Sequence, residues 1–102
     1  MGTKPPEAFV LAPIEGDILP YGISYVLIGN AVDYEDSLIP EENYLWSSNQ
    51  DGLLGSGSSL LVDLSYGEHI LTLIVTDSNG NTSSSHVSIF VGSKLFLPVT
   101  VK

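Results

Sequence analysis

His69-Ile70-Leu71-Thr72-Leu73-Ile74-Val75-Thr76, followed by Asp77-Ser78-Asn79-Gly80-Asn81 and then Thr82-Ser83-Ser84-Ser85-His86-Val87-Ser88-Ile89-Phe90-Val91, has the pattern of a β-hairpin. Apolar residues recur at every second position on both sides of a cluster of turn-forming residues. Register can be tested by parity. A two-residue turn on Asn79-Gly80 would set Leu73 against His86 and Leu71 against Ser88, which mixes the faces. A three-residue loop, Asn79-Gly80-Asn81, sets Leu73 against Val87, Leu71 against Ile89 and His69 against Val91. A one-residue slip carries every side chain to the other face, so the odd-numbered loop is selected. The inward set is then Leu71, Leu73, Val75, Val87, Ile89 and Val91.

The same grammar extends to the rest of the chain. Short runs at Ala8–Leu11, Ser24–Val32, Tyr44–Ser48 and Ser59–Leu64 are separated by Glu15-Gly16-Asp17, Pro20-Tyr21-Gly22, Asn49-Gln50-Asp51-Gly52 and Tyr66-Gly67. No segment carries a sustained helical period with caps. The expectation is an all-β sandwich of about seven antiparallel strands without a disulfide. Leu27, Gly29, Ala31, Trp46, Leu60, Val62 and Leu64 continue the inward alternation, with Trp46 as the aromatic between the sheets. The predicted organisation is a linker over 1–7, the sandwich over 8–91, and an apolar tail or extra strand over 92–102.

Composition narrows the function classes. The 102 residues carry 12 Asp plus Glu against 3 Lys plus Arg, for a formal net charge of −9, yet 43% are hydrophobic and 15% charged. Three basic residues cannot build the footprint of a nucleic-acid binder, and they suit an anionic lipid surface no better. No run is long enough for a membrane-spanning helix, so membrane insertion is not expected. Absence of cysteine removes disulfides, thiolate metal sites and cysteine nucleophiles.

The ordered series Gly29-x-Ala31-x-Asp33-x-Glu35-Asp36, Leu45-Trp46-Ser47-Ser48, Asp51-Gly52-x-Leu54-Gly55-x-Gly57, Leu64-Ser65-x-Gly67-x-His69 and Val75-Thr76-Asp77-Ser78-x-Gly80-Asn81 resembles a bacterial Ig-like domain related to polycystic-kidney-disease (PKD) repeats. It departs from the PKD pattern after Trp46, where Ser47-Ser48-Asn49-Gln50-Asp51-Gly52 replaces Asp-Phe-Gly-Asp-Gly. The resemblance implies a Greek-key Ig-like sandwich, found in tandem on secreted or cell-surface proteins. It implies a non-catalytic spacer or presentation module whose partners are neighbouring domains of the same chain. The alternative is a protein- or glycan-binding module.

Three constellations stand out. Asp33, Glu35 and Asp36, with Glu41 and Glu42 after them, put five carboxylates in one connection. In the Ig arrangement this connection shares one end of the sandwich with Asp77, and Glu7 approaches on the first strand. Hard cations take oxygen ligands, and clustered carboxylates repel unless neutralised. Asp33, Glu35, Asp36 and Asp77 are therefore a candidate Ca²⁺ set, with no other cofactor implied. The competing expectation is that Asp33 and Asp77 accept backbone N–H bonds at strand ends. The second constellation is an outward apolar patch of Ile70, Ile74 and Phe90, with Ile70 set across from Phe90 and the tail Leu95–Val101 as one possible cover. Tyr34, Tyr44 and Tyr66 are the candidate sugar-stacking residues. The third is His69, expected half-buried with one nitrogen hydrogen-bonded. It forms no triad with His86 or Ser83–Ser85, because no strained nucleophile turn is present, so no catalytic residue is assigned.

Overall fold

The computed structural model describes residues 6–32 and 39–92. Within them the strands are β1 (Glu7–Ala12), β2 (Ile18–Leu19), β3 (Tyr25–Val32), β4 (Tyr44–Ser48), β5 (Gly52–Ser56), β6 (Ser59–Val62), β7 (Gly67–Thr76) and β8 (Thr82–Val91). A single 3-10 turn, Glu41–Asn43, precedes β4. The strands form two sheets, ordered β1-β3-β6 and β2-β8-β7-β4-β5. All pairings are antiparallel except β2 with β8, which is parallel.

The inward faces meet as the alternation requires. Leu27, Trp46, Leu71, Leu73 and Val75 are fully buried, and Val62, Leu64, Val87, Ile89 and Val91 nearly so. Each such aliphatic side chain contributes about 1.5–3 kcal/mol when withdrawn from water. The Trp46 indole N–H donates to the Gly57 carbonyl at 2.8 Å, so the one polar atom of the central aromatic is satisfied inside the core. Gly29 lies directly beneath it. A Cβ there would meet Leu73 Cδ2 at 2.5 Å and Trp46 Cζ2 at 2.9 Å.

The β7–β8 hairpin has the predicted parity and loop length, but its loop begins one residue earlier. Asp77 N–H donates to the Asn81 carbonyl at 2.9 Å and Gly80 N–H to the Asp77 carbonyl at 3.2 Å, which makes the loop Ser78-Asn79-Gly80. Gly80 sits at φ +85°, the left-handed position that three-residue loops place last. Leu71 consequently faces Val87, His69 faces Ile89 and Gly67 faces Val91. A two-residue shift preserves the faces, so the inward set stands while its partners change.

Two strands depart from the expectation. β5 occupies a stretch rich in turn residues; it folds back on β4, with a bulge between Trp46 and Ser47. β2 is only two residues long. Around it, Gly16 N–H donates to the Ser88 carbonyl (2.8 Å), Phe90 N–H to the Asp17 carbonyl (3.0 Å) and Gly92 N–H to the Leu19 carbonyl (2.8 Å). Segment 16–19 thus covers the outer edge of β8 from Ser88 to Gly92, an edge that would otherwise offer open pairing sites.

Candidate functional site

The outer face of the five-stranded sheet carries the most developed surface. Ile70 and Ile74 are 44% and 37% exposed, and Phe90 is half-buried. Ile70 lies opposite Ser88 and not opposite Phe90, whose partner is Glu68. The expected direct Ile70–Phe90 pair is therefore a diagonal one, a consequence of the earlier loop. Ile74 stands two repeats of the pleat away, opposite Ser84. Between Ile70 and Phe90 runs a groove of about 470 Å³, lined by Glu15, Ile18, Asn49, Glu68, Ile70 and Phe90 among others. Its two sides are fixed by hydrogen bonds. Glu15 Oε1 accepts from Ser88 N–H at 2.9 Å. Asn49 Oδ1 accepts from Ile70 N–H at 2.8 Å, while Asn49 N–H donates to the Ile70 carbonyl at 3.1 Å.

At the end where the described chain leaves the sheet, Tyr21, Tyr66 and Phe90 form an aromatic chain. Both successive pairs are edge-to-face, with centroids 5.8 Å apart and ring planes at 72° and 77°. Gly92 is buried against it; a Cβ there would meet the Phe90 ring at 2.5 Å and the Tyr66 ring at 3.1 Å. Of the three tyrosines singled out for sugar stacking, Tyr66 is 55% exposed, Tyr44 is 6% exposed and belongs to the core, and Tyr34 lies outside the described residues. Tyr44 is lost to that role because its strand parity matches Trp46.

Behind the groove lies a buried polar network. His69 is 1% exposed, and both ring nitrogens are engaged: Nδ1 with Ser48 Oγ at 2.7 Å and Nε2 with the Ser65 carbonyl at 2.7 Å. A carbonyl can only accept, so Nε2 is assigned the proton and Nδ1 accepts from the Ser48 hydroxyl. Ser48 Oγ in turn accepts from Gln50 N–H (3.0 Å) and Asp51 N–H (3.2 Å). The burial exceeds the half-buried, singly bonded histidine expected from sequence. A serine hydroxyl on a histidine nitrogen is the first contact of an activated nucleophile. Here the serine is only 4% exposed and its oxygen is committed to the β4–β5 turn.

Asp51 closes the same network at the surface. Its carboxylate accepts from both the Ser65 hydroxyl and the Ser65 N–H. These two bonds, hydroxyl first, hold its carboxyl below the usual carboxylate range; partial burial opposes the shift and nearby His69 adds to it. A carboxyl depressed in the folded state contributes stability above its unfolded pKa, and that contribution is lost as pH falls through the folded value. Asp51→Asn is therefore expected to flatten the acid limb of the stability profile below about pH 4. Urea melts across pH 2–6 check this; an acid limb as steep as that of the parent refutes it.

The acidic end is described only in part, because Asp33, Glu35 and Asp36 lie outside the described residues. Asp77 is 3% exposed. Its Oδ1 accepts from Asn79 N–H and Asn81 N–H, both at 2.9 Å, and its Oδ2 from Asn81 Nδ2 at 3.2 Å. Glu41, from the same acidic connection, accepts from Ser58 N–H at 2.7 Å and from the Ser58 hydroxyl at 2.9 Å. Asn43 Nδ2 donates to the Thr76 carbonyl at 2.8 Å, and Glu7 pairs with Val32. Asp77, Asn43 and Glu7 therefore share one end. Among the described residues, no three His, Asp or Glu side chains gather as a metal-binding group.

No protein-family model and no curated protein matches the sequence. Solved structures do. Fibronectin(III)-like modules of CbhA from Clostridium thermocellum superpose with a TM-score of 0.71 at 17% identity, over 86% of this chain and 47% of theirs. Carbohydrate-binding modules from the β-sandwich superfamily, studied for their promiscuous specificity, superpose with a TM-score of 0.70 at 24% identity, over 92% of this chain and 37% of theirs. The chain is an Ig-like β-sandwich. It spans less than half the length of either chain.

Of the site residues, the sequence pointed to Ile70, Ile74 and Phe90 but missed what turns a patch into a groove. The wall built by Glu15 and Ile18 comes from a segment with too few alternating residues to show a period. The aromatic chain joins Tyr21, Tyr66 and Phe90, residues far apart in sequence that only the sandwich brings together. Phe90 was visible as an outward aromatic on a strand otherwise inward-apolar.

Proposed function

We propose that this sandwich is a non-catalytic structural module of a secreted or cell-surface multidomain protein, one that spaces or presents the domains beside it. The observation that carries this reading is the placement of the strand ends. β1 begins opposite Val32, at the end of the sandwich that holds Asp77, whereas β8 finishes opposite Gly67 at the other end. A chain that enters at one end and leaves at the other adds length with every copy. Ten-residue strands such as β7 and β8 span about 33 Å, so each copy extends the chain by roughly that distance. The similarity to fibronectin(III)-like modules supports the same role, as does the resemblance to PKD-related repeats. Solution scattering of two copies joined head to tail tests it. Expected is a maximum dimension about 30–35 Å greater than that of one copy; a folded-back pair of unchanged length overturns it.

Charge supports an exposed, separated module. The three cationic side chains are Lys4, Lys94 and Lys102, so residues 6–92 hold all twelve acids and no Lys or Arg. Self-repulsion is relieved only by counter-ions. The melting temperature is expected to rise as NaCl is increased from about 0.01 M to 0.5 M, as the screening length contracts from roughly 30 Å to a few Å. Calorimetry reads this directly, and a flat or falling midpoint refutes it. The same melts, run at matched ionic strength with CaCl₂ and with chelator, test the Ca²⁺ set Asp33, Glu35, Asp36 and Asp77. A midpoint insensitive to both discards it.

A second reading, a binding module that uses its outer face, is favoured by the groove beside Ile70 and Phe90. It shares the non-catalytic character, and the similarity to carbohydrate-binding modules supports it for a glycan.

A further inference from the structure

The groove on the outer face combines apolar residues with two carboxylates, Glu15 and Glu68, in its lining. Ile18 and Ile70 are 42% and 44% exposed, and Phe90 is flanked by Ile18 on β2 and by Glu68 on β7. Glu15 stands on one side, held by Ser88 N–H, and Asn49 on the other, held by Ile70. Residues 6–92 supply no Lys or Arg to neutralise Glu15 or Glu68. Of the two histidines, His69 has both nitrogens engaged behind the groove, and His86, outward and exposed on β8 beyond Ser88, is not part of the lining.

From this we infer that the groove takes an extended, cationic peptide segment of a partner protein. This rests on the binding-module reading above and names its ligand class. An arginine or lysine stem would lie on Ile70 and Phe90, as long cationic side chains do on apolar surface. Its charged head would meet Glu68 and the free oxygen of Glu15 through charge-assisted hydrogen bonds, with the Phe90 ring adding a cation–π contact. The volume of about 470 Å³ falls within the usual range for a small-ligand pocket, room for a long side chain and the backbone beside it. Preorganisation favours binding, since both walls are already pinned by main-chain bonds.

Other occupants fit less well. A glycan is held by aromatic faces aligned with successive sugar rings, whereas Tyr21, Tyr66 and Phe90 stand edge-to-face at 72° and 77°. A second copy would bring twelve carboxylates of its own against Glu15 and Glu68. The chain's own Lys94 and Lys102 make residues 93–102 the intramolecular competitor.

The test is a ¹⁵N-NMR titration of the full chain at 0.15 M NaCl. Its probes are a capped hexapeptide alternating arginine and valine, the same peptide with glutamine for arginine, and cellohexaose. Expected are saturable shifts of the Asn49, Glu68, Ile70, Ser88 and Phe90 amides with the arginine peptide alone. Glu68→Gln should weaken that binding about tenfold, the worth of one charge-assisted contact. Glu42→Gln removes the same charge from the exposed turn before β4, at the opposite end, and should weaken it less than about twofold by loss of long-range attraction alone. Three results overturn the inference: equal losses for Glu42→Gln and Glu68→Gln with shifts spread over all acidic loops; equal binding of the glutamine peptide; or binding that appears only when Lys94 and Lys102 are replaced by glutamine. Groove shifts with cellohexaose and none with the arginine peptide overturn the peptide while sustaining the binding module. Groove amides that respond to no probe remove both.

Discussion

Gly29→Ala is expected to destabilise the sandwich by about 1–3 kcal/mol, the usual cost of forcing a methyl group into a packed core. For a domain of this size that corresponds to a fall in Tm of roughly 4–8 °C for each kcal/mol. The direction runs against backbone propensity. Gly29 is not among the positive-φ glycines and sits in the middle of β3, where alanine would ordinarily be an improvement. Packing reverses the sign. The new Cβ would lie 2.5 Å from Leu73 Cδ2, 2.9 Å from Trp46 Cζ2 and 3.4 Å from the Phe9 carbonyl oxygen. The last is ordinary contact; the cost comes from the Leu73 methyl and from the fully buried Trp46 ring, which has little room to give. Shortening Leu73 removes the nearest atom, so Leu73→Val, which alone costs about 0.5–1.5 kcal/mol like other single-methyl deletions, should be partly compensated in the Gly29→Ala background. A favourable coupling of at least about 0.5 kcal/mol is expected between the two sites. Chemical melts of the four chains measure it. Additive effects, or a neutral Gly29→Ala, would show that the sheets can separate locally without cost.

How much of this could be read from residues alone follows from where information is local. The inward alternation of β7 and β8 is a period-two signal carried by Val, Ile and Leu, and it placed Leu71, Leu73, Val75, Val87, Ile89 and Val91 correctly in the core. Its absolute register depended on one detail, which of two equally turn-prone triplets closes the loop. That choice is made by Asp77, whose carboxylate collects two main-chain N–H groups and so fixes Gly80 as the left-handed residue. Side-chain capture of this kind leaves no periodic trace. β2 has no sequence signature, because two residues are too few for alternation; it exists as a strand because β8 has an edge to cover. The groove inherits both limits, since one wall hangs on β2 and its floor on the hairpin register.

His69→Leu is expected to cost about 2–4 kcal/mol, the sum of two lost hydrogen bonds and the stranding of a buried donor. Leucine keeps most of the volume, so the loss is polar and not a cavity effect. The two partners will suffer unequally. Ser65 is exposed, and its carbonyl can turn to water once the imidazole is gone. Ser48 is 4% exposed, and among the described residues its hydroxyl hydrogen has no acceptor besides His69 Nδ1. Removing that hydroxyl as well, in Ser48→Ala with His69→Leu, should therefore cost less than the two single losses added together. It cannot restore the parent, because Gln50 N–H and Asp51 N–H lose the oxygen they share. The assignment behind this prediction is directly observable: the imidazole ¹⁵N correlation should show the proton on Nε2, and a proton on Nδ1 would reverse the donor in the Ser48 contact. The consequence reaches the surface. Asn49 follows Ser48 in the same turn and forms one wall of the groove, and Glu68 precedes His69 and forms part of the lining opposite Phe90. Amide exchange at Asn49, Gln50 and Asp51 should accelerate in His69→Leu more than exchange at Asn79 and Asn81, which lie at the far end of β7. Uniform acceleration would mean that His69 stabilises the whole fold without positioning the turn. A gradient concentrated at 49–51 would make the buried imidazole the support on which the shape of the groove depends.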